Sequence, residues 1–268
     1  MTVIPRQIAA LSLAGAGLAA LAACSSGGSS PAAAAGTASG SASPTTATSN
    51  TATSNTAASA AAATNAGLSD SALRAAFVSA ANGASAVHVK GAVTQSGQVI
   101  TEDIQLNKNE SCDGTLSIGA AQLPVKATGG VYYLEFTPSF IQYIAKQQGA
   151  DAAAFAAYSG KWVSSNGTLG KDLASSFSQF MSYSSMVKQV ADNSDGDKAT
   201  AAGTATLNGQ SVALYNTTKG SKLYFAASGP AYMVEQVVGG SDGTGTIDYT
   251  WNQPTTVSPP PASQIYNG

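Results

Sequence analysis

Charge is what this chain has least of. Of its 268 residues, 12 are Lys or Arg and 14 are Asp or Glu, so charged residues make up 10% against about 25% in ordinary globular chains. A net charge of −2 offers no basic surplus to replace the counterions of phosphates, which argues against a nucleic-acid partner. A single His and two Cys cannot make a His-rich or Cys/His metal centre. Neither metal nor cofactor is therefore expected, and an enzyme has no constellation to work with. Long apolar runs are scarce as well. Gln7 to Ala23 is 17 residues rich in Ala and Gly, short and weakly apolar beside the about 20 residues that a membrane span needs.

The few charges are unevenly placed. After Arg6 none occurs until Asp70, so all 14 acids and 11 of the 12 bases fall from Asp70 onward. The front of the chain therefore reads as an address and a tether. A weakly basic start, an apolar stretch and a small-residue ending predict a secretory signal over residues 1–23. Its end, Leu21-Ala22-Ala23-Cys24, resembles the bacterial lipobox, which implies that the Cys24 thiol takes a diacylglycerol and becomes the mature N-terminus. More than one acyl chain, at about 0.8 kcal/mol per buried methylene, anchors stably. The expected location is the extracytoplasmic face of the cell membrane, lipid-anchored. Ser25 to Gly67 contains only Ala, Ser, Thr, Gly, Asn and Pro, with a tandem TATSN repeat over Thr46 to Asn55. Residues 24–67 thus predict a disordered linker that spans about 35 Å as a flexible coil.

Residues 68–268 are enough for one sizeable core. Ser69 is placed to cap a first helix, on which Leu73, Ala76, Phe77 and Ala80 share a face before Asn82-Gly83 stops it. From Ser85 the period changes to two: Val87, Val89 and Val93 fall on one face, His88, Lys90 and Thr94 on the other. Turn signals then mark strands near 86–95, 98–107, 114–119, 123–128 and 131–136. A helical block follows, with Pro138 as a helix start, Phe140, Ile141, Ile144 and Ala145 as a stripe, and a short helix over Ala150 to Ala157. Lys161-Trp162-Val163 reads as a short extended piece. Leu173, Phe177, Phe180 and Met181 line a third helix, and Met186 to Val190 continue the block. Strand patterns return near 199–208, 211–218, 221–227, 231–238 and 245–251. The order predicts an α+β domain: one long, curved antiparallel sheet with helices packed on one face.

This arrangement resembles a known family. The lipobox, the linker and the opening helix precede a Val87-His88-Val89 strand. Gly130-Val131-Tyr132-Tyr133-Leu134 comes before the helical block, and Gly160-Lys161-Trp162-Val163 and Tyr-rich late hairpins follow. Together these look like the actinobacterial LolA-like lipoproteins of the LppX/LprG type, over about residues 68–257. The resemblance implies a half-barrel whose concave side is plugged by helices, with acyl chains of lipids or glycolipids held between and carried outward across the envelope.

Individual residues carry little chemistry. Ser185-Met186-Val187-Lys188 matches the S-x-x-K of penicillin-binding enzymes but lacks its partner motifs. Asp192 to Asp197 is loosely like a Ca²⁺ loop, with Gly203 where the bidentate Glu should stand. His88 reads as a surface or helix-contacting side chain, Cys112 as a small buried hydrophobe. Glu102 is the anomaly, sharing the parity of Ile100, Ile104 and Leu106. A bulge or sheet edge is its simplest explanation; a carboxylate at a cavity mouth is the other. If the helices cover a cavity, its wall falls to Phe77, Val89, Ile104, Leu106, Leu134, Phe136, Phe140, Ile144, Phe177, Phe180, Leu214 and Phe225. The same residues would equally fill a solid core, because periodicity does not distinguish the two. Two functions stay open: a lipid or glycolipid binder or carrier, and an anchored interaction module with a solid core and no lipid cargo. Nothing in the sequence sets an oligomeric state. Under either function, Cys24→Ala should move the protein from the membrane to the soluble fraction, and retention in the membrane overturns the lipobox reading.

Overall fold

The computed structural model describes residues 64–192, 197–240 and 243–266, without the side chain of Leu173. The expectations for the signal, Cys24, the linker up to residue 63 and the centre of the Asp192–Asp197 stretch lie outside these residues. Ser69 caps α1 (Asp70–Gly83) by accepting from the Ala72 N–H, and Leu73, Phe77, Ala80 and Ala81 are buried along it. Five strands follow: β1 (Ala86–Gln95), β2 (Gln98–Asn107), β3 (Cys112–Ile118), β4 (Ala121–Thr128) and β5 (Val131–Glu135). Thr137 caps α2 (Pro138–Gln148), whose Pro lies where no intrahelical donor is needed. Gly149, at φ 61°, ends it in the left-handed region. The next segment is a 3-10 helix over Ala152–Tyr158 rather than an α-helix.

The piece around Trp162 is a strand of the sheet, β6 (Trp162–Ser164), so that strands number eleven among the described residues. Helices α3 (Thr168–Met181) and α4 (Tyr183–Ala191) lead into β7 (Ala199–Leu207), β8 (Gln210–Thr217), β9 (Lys222–Ala226), β10 (Met233–Val238) and β11 (Thr244–Trp251).

All eleven strands form one sheet in the order β6-β5-β4-β3-β2-β1-β11-β10-β9-β8-β7. Two meanders thus meet where the first strand pairs with the last, in continuous antiparallel register from Val87 opposite Trp251 to Thr94 opposite Thr244. The sheet is curved and open, with the helices on its concave face. Along β1, Val87, Val89 and Val93 are buried while Lys90, Ala92 and Thr94 are exposed, the alternation of a half-buried strand. Gly91 breaks the inward row. A Cβ there would overlap the Thr246 carbonyl oxygen, so β1 and β11 approach this closely only because Gly91 has no side chain.

Both ends of the domain are strapped down. Asn65 is buried: its Nδ2 donates to the carbonyls of Ala226 (2.8 Å) and Gly229 (3.1 Å), and its own carbonyl accepts from the Tyr215 hydroxyl at 2.5 Å. The chain is therefore held to β8 and β9 from Thr64 onward, earlier than the boundary expected at Leu68. After β11 the tail crosses the sheet's end, where Asn107 exchanges side-chain hydrogen bonds with the Thr255 backbone. Its Ile265 then bridges to Trp162 beside β6, covering an edge that would otherwise offer unpaired backbone groups. Removing the side chain in Asn65→Ala leaves the carbonyls of Ala226 and Gly229 without this donor. Denaturant unfolding should show a loss of about 1–3 kcal/mol; unchanged stability would mean that the strap is not part of the folded unit.

Candidate functional site

The concave face is filled unevenly. Over β4 to β6, Phe136, Phe140, Tyr158 and Phe177 interlock, with Phe136 and Phe140 perpendicular at 5.4 Å and Phe140 against Phe177 at 6.5 Å. Leu134 and Ile144 are buried in the same core. Beneath α1, Phe77 packs edge-on against Trp251 at 5.9 Å and Phe225 at 6.3 Å. Between these two clusters, under the end of α3 and the length of α4, the face is hollow. A cavity of about 140 Å³ is walled by Val89, Val93, Leu106, Met233, Val238 and Ile247 from the sheet and by Phe180, Met186 and Val190 from the helices, together with polar side chains that include Glu102, Gln236 and Tyr249 on the sheet and Arg74, Gln179 and Gln189 on the helices.

Of the wall residues expected from the sequence, Val89, Leu106 and Phe180 line this cavity. Phe77, Ile104, Leu134, Phe136, Phe140, Ile144, Phe177 and Phe225 belong to the packed core outside its lining. Leu214 is neither. It is half-buried and shares the parity of Val212, while Ala213 and Tyr215 point into the core. Both faces of β8 are apolar, so alternation alone cannot orient it. The Tyr215 hydroxyl decides the matter by bonding to the Asn65 carbonyl and the Leu68 N–H. Tyr249, Gln236, Met186 and Met233 were not expected in the wall. The shared parity of Ile247, Tyr249 and Trp251 on β11 was the available signal for the first.

Glu102 lies in this wall. It sits at neither a bulge nor an edge: the β2 register is continuous on both sides, with Glu102 opposite Gly91 on β1 and Leu116 on β3. The residue is 7% exposed, and its Oε1 has no hydrogen-bond partner among the described residues. Burial alone pushes its carboxyl up to about 7. One row across the sheet explains the surroundings. It runs Leu116, Glu102, Gly91, Ile247, Gln236, Leu223, so the neighbour of Glu102 on the β1 side has no side chain. Tyr249, two residues along β11 from Ile247, donates its hydroxyl to Gln236 Oε1 at 3.3 Å. Burial raises the Tyr249 hydroxyl above its ordinary value, and the nearby Glu102 carboxyl raises it further.

The helices over the cavity are fixed at their ends by polar contacts. Glu110, in the β2–β3 turn, accepts from the Ser182 hydroxyl (2.8 Å) and the Ser184 N–H (3.0 Å), placing a carboxylate at the N-terminus of α4. Tyr183 donates to the Ala81 carbonyl of α1 at 2.7 Å. At the far end Arg74 of α1 donates to the Val190 carbonyl of α4 and the Asp197 carbonyl, both at 2.7 Å, and pairs with Asp70 at 3.1 Å.

The other singled-out residues lie elsewhere. His88 is on the convex face, where its Nε2 meets Asp103 at 2.7 Å and Lys90 meets the same carboxylate at 2.9 Å. Lys188 is paired with Asp192, one turn away. Cys112 is buried in the core, and burial pushes its thiol up to about 12. Among the described residues no group of three or more His, Cys, Asp or Glu could hold a metal ion, and no helix is long and apolar enough to cross a membrane.

No family model and no curated protein matches the chain. Among solved structures it is similar to LprF from Mycobacterium bovis, at 13% identity and a TM-score of 0.45 over 71% of this chain and 96% of that one. It is also similar to the Mycobacterium tuberculosis lipoprotein LppX, at 18% identity and a TM-score of 0.42 over 71% of this chain and all of that one.

The Glu102 carboxyl sets a stability prediction with a definite sign. Well below pH 4.5 it is protonated in both folded and unfolded states and adds no pH dependence. Above that, only the unfolded chain releases the proton, so stability falls with rising pH until the folded-state value near 7 is passed. Glu102→Gln should therefore gain about 3 kcal/mol more at pH 8 than at pH 4. Equal effects of the substitution at the two pH values would show that the carboxyl is not held in this environment.

Proposed function

We propose that this protein is an exported, membrane-anchored lipoprotein that binds apolar chains of a lipid or glycolipid between the concave sheet and α3–α4. The observation that carries this reading is the hollow under α4, whose wall mixes apolar side chains of the sheet and helices with polar ones, in a face that is otherwise closely packed. Burial of ligand methylenes at about 0.8 kcal/mol each supplies affinity without a dense set of polar contacts, which suits so charge-poor a chain. The role is that of a binder or carrier and not of a catalyst.

Size limits what the observed state accommodates. A cavity near 150 Å³ takes a molecule the size of benzene, and ordinary ligand pockets run from about 300 to 1,000 Å³. At about 140 Å³ the hollow receives one short apolar segment. A whole acyl chain requires α3 and α4 to move away from the sheet, releasing the Arg74 bonds to Val190 and Asp197 or the Glu110 contacts at the other end.

The full-length protein, extracted from its host membranes in mild detergent, should carry lipid beyond the covalent anchor when examined by native mass spectrometry. It should also bind toluene after delipidation. Arg74→Ala should speed lipid exchange several-fold. A protein that retains no lipid and binds no toluene is instead an anchored interaction module with a solid core.

A further inference from the structure

One side chain of the cavity wall holds a buried polar atom with no hydrogen-bond partner among the described residues. Glu102 is 7% exposed and lines the cavity, with Ile100 and Ile104 on either side along its own strand. The row position next to it on β1 is Gly91, so no side chain there reaches over to satisfy it. Oε1 has no partner among the described residues. Two other polar groups of the wall are bonded to each other, Tyr249 donating to Gln236. A buried polar atom left in this state is a cost that packing does not explain, and a ligand that supplies the missing hydrogen bond removes it.

We infer that Glu102 is a specificity-determining residue, selecting apolar ligands that carry an isolated hydroxyl on the chain itself. This rests on the cavity being an apolar ligand site. The choice of hydroxyl over ammonium follows from the surroundings. A cation brought against Glu102 would have to shed its water beside Ile100, Ile104, Leu116 and Gly91, whose side chains offer its remaining protons no acceptor, and buried ion pairs of that kind do not recover their desolvation. A hydroxyl is neutral, and it donates to a carboxylate or exchanges hydrogen bonds with a protonated carboxyl equally well. Burial favours the protonated form up to about pH 7. The sheet positions that adjoin Glu102 are Ile100, Ile104, Leu116 and the bare Gly91, so the polar groups of a sugar or glycerol head would find no partner among them, and the hydroxyl belongs to the apolar chain and not to a head group.

The test uses small probes matched to the cavity and the delipidated full-length protein, with binding read by calorimetry or chemical-shift titration. Benzyl alcohol should bind about tenfold more tightly than toluene, and benzylamine no more tightly than toluene. Glu102→Leu should abolish the ratio between alcohol and toluene. Glu102→Gln, which keeps hydrogen-bonding capacity, should retain it, and Glu235→Gln on the convex face should leave it unchanged. Circular dichroism confirms that each variant is folded. If toluene itself fails to bind, the ligand-site reading is lost. If toluene binds but the alcohol has no advantage, or keeps it in Glu102→Leu, only the role of Glu102 is lost. Preference for benzylamine, or competition by glycerol or glucose, overturns the hydroxyl assignment.

Discussion

The pairing of β1 with β11 is the contact on which the remaining architecture depends. Each meander can form from local hairpins, but neither alone provides a concave face broad enough to cover both helix groups. The β1–β11 register joins them, with the rest of the first meander, the entire helical block and β7 to β10 as the intervening loop. Closing so long a loop costs little more than closing one half its length, because the entropy grows only with the logarithm. The benefit extends beyond the hydrogen bonds. The register sets Trp251 under Phe77, places Tyr249 beside Val89, and brings Gln236 to the same row as Glu102. Gly91 and Gly245 mark the closeness of the join, since a Cβ at either would strike the backbone of the opposite strand.

That join also leaves the hollow. Elsewhere the concave face is filled by rings in edge contact, Phe136 with Phe140 over β4 to β6 and, at the Val87–Trp251 end of the join, Phe77 with Phe225 and Trp251. At the join itself the inward row contains a glycine next to a carboxyl, and neither supplies apolar bulk. A single Leu at position 102 would fill space and spare the chain a desolvated acid. The fold therefore carries two stability costs at one place, a void and an unpartnered carboxyl oxygen. Their coincidence, and not either alone, is what the proposed ligand site rests on, since strained or under-packed positions gather where binding requires them.

Much of the fold was legible because its signals are local. Strict alternation in β1 and β2, glycine turns between hairpins, the Ser69 and Thr137 caps and the Pro138 start all act within a few residues, and the observed elements follow them closely. The site was less legible because it depends on register between distant strands. The parity of Glu102 pointed inward from the start; reading it as a bulge or edge followed from the expense of burying an acid, a rule that holds for structural positions and fails at this one. Only the pairing with Gly91 reveals the space beside it. Leu214 failed for a related reason. With apolar residues on both parities of β8, a hydroxyl bond from Tyr215 to a strap about 150 residues away decides which face turns inward.

On the proposed reading, uptake of a long chain must enlarge the hollow, and the structure differs greatly in what can yield. The sheet is hydrogen-bonded from β6 to β7, and its aromatic clusters would lose interlocked ring contacts on any separation. Helix α4, by contrast, meets its neighbours through a few polar links at its ends, each worth about 1 kcal/mol net in a solvated setting, and through Tyr183, Met186, Val187 and Val190, of which Met186 and Val190 lie over the void. Breaking two or three such links costs about as much as burying four methylenes returns. An acyl chain of ordinary length exceeds that threshold several times over, whereas a short one barely reaches it. On that reading the burial of a long chain is enough by itself to shift the population from the closed state to an opened, loaded one.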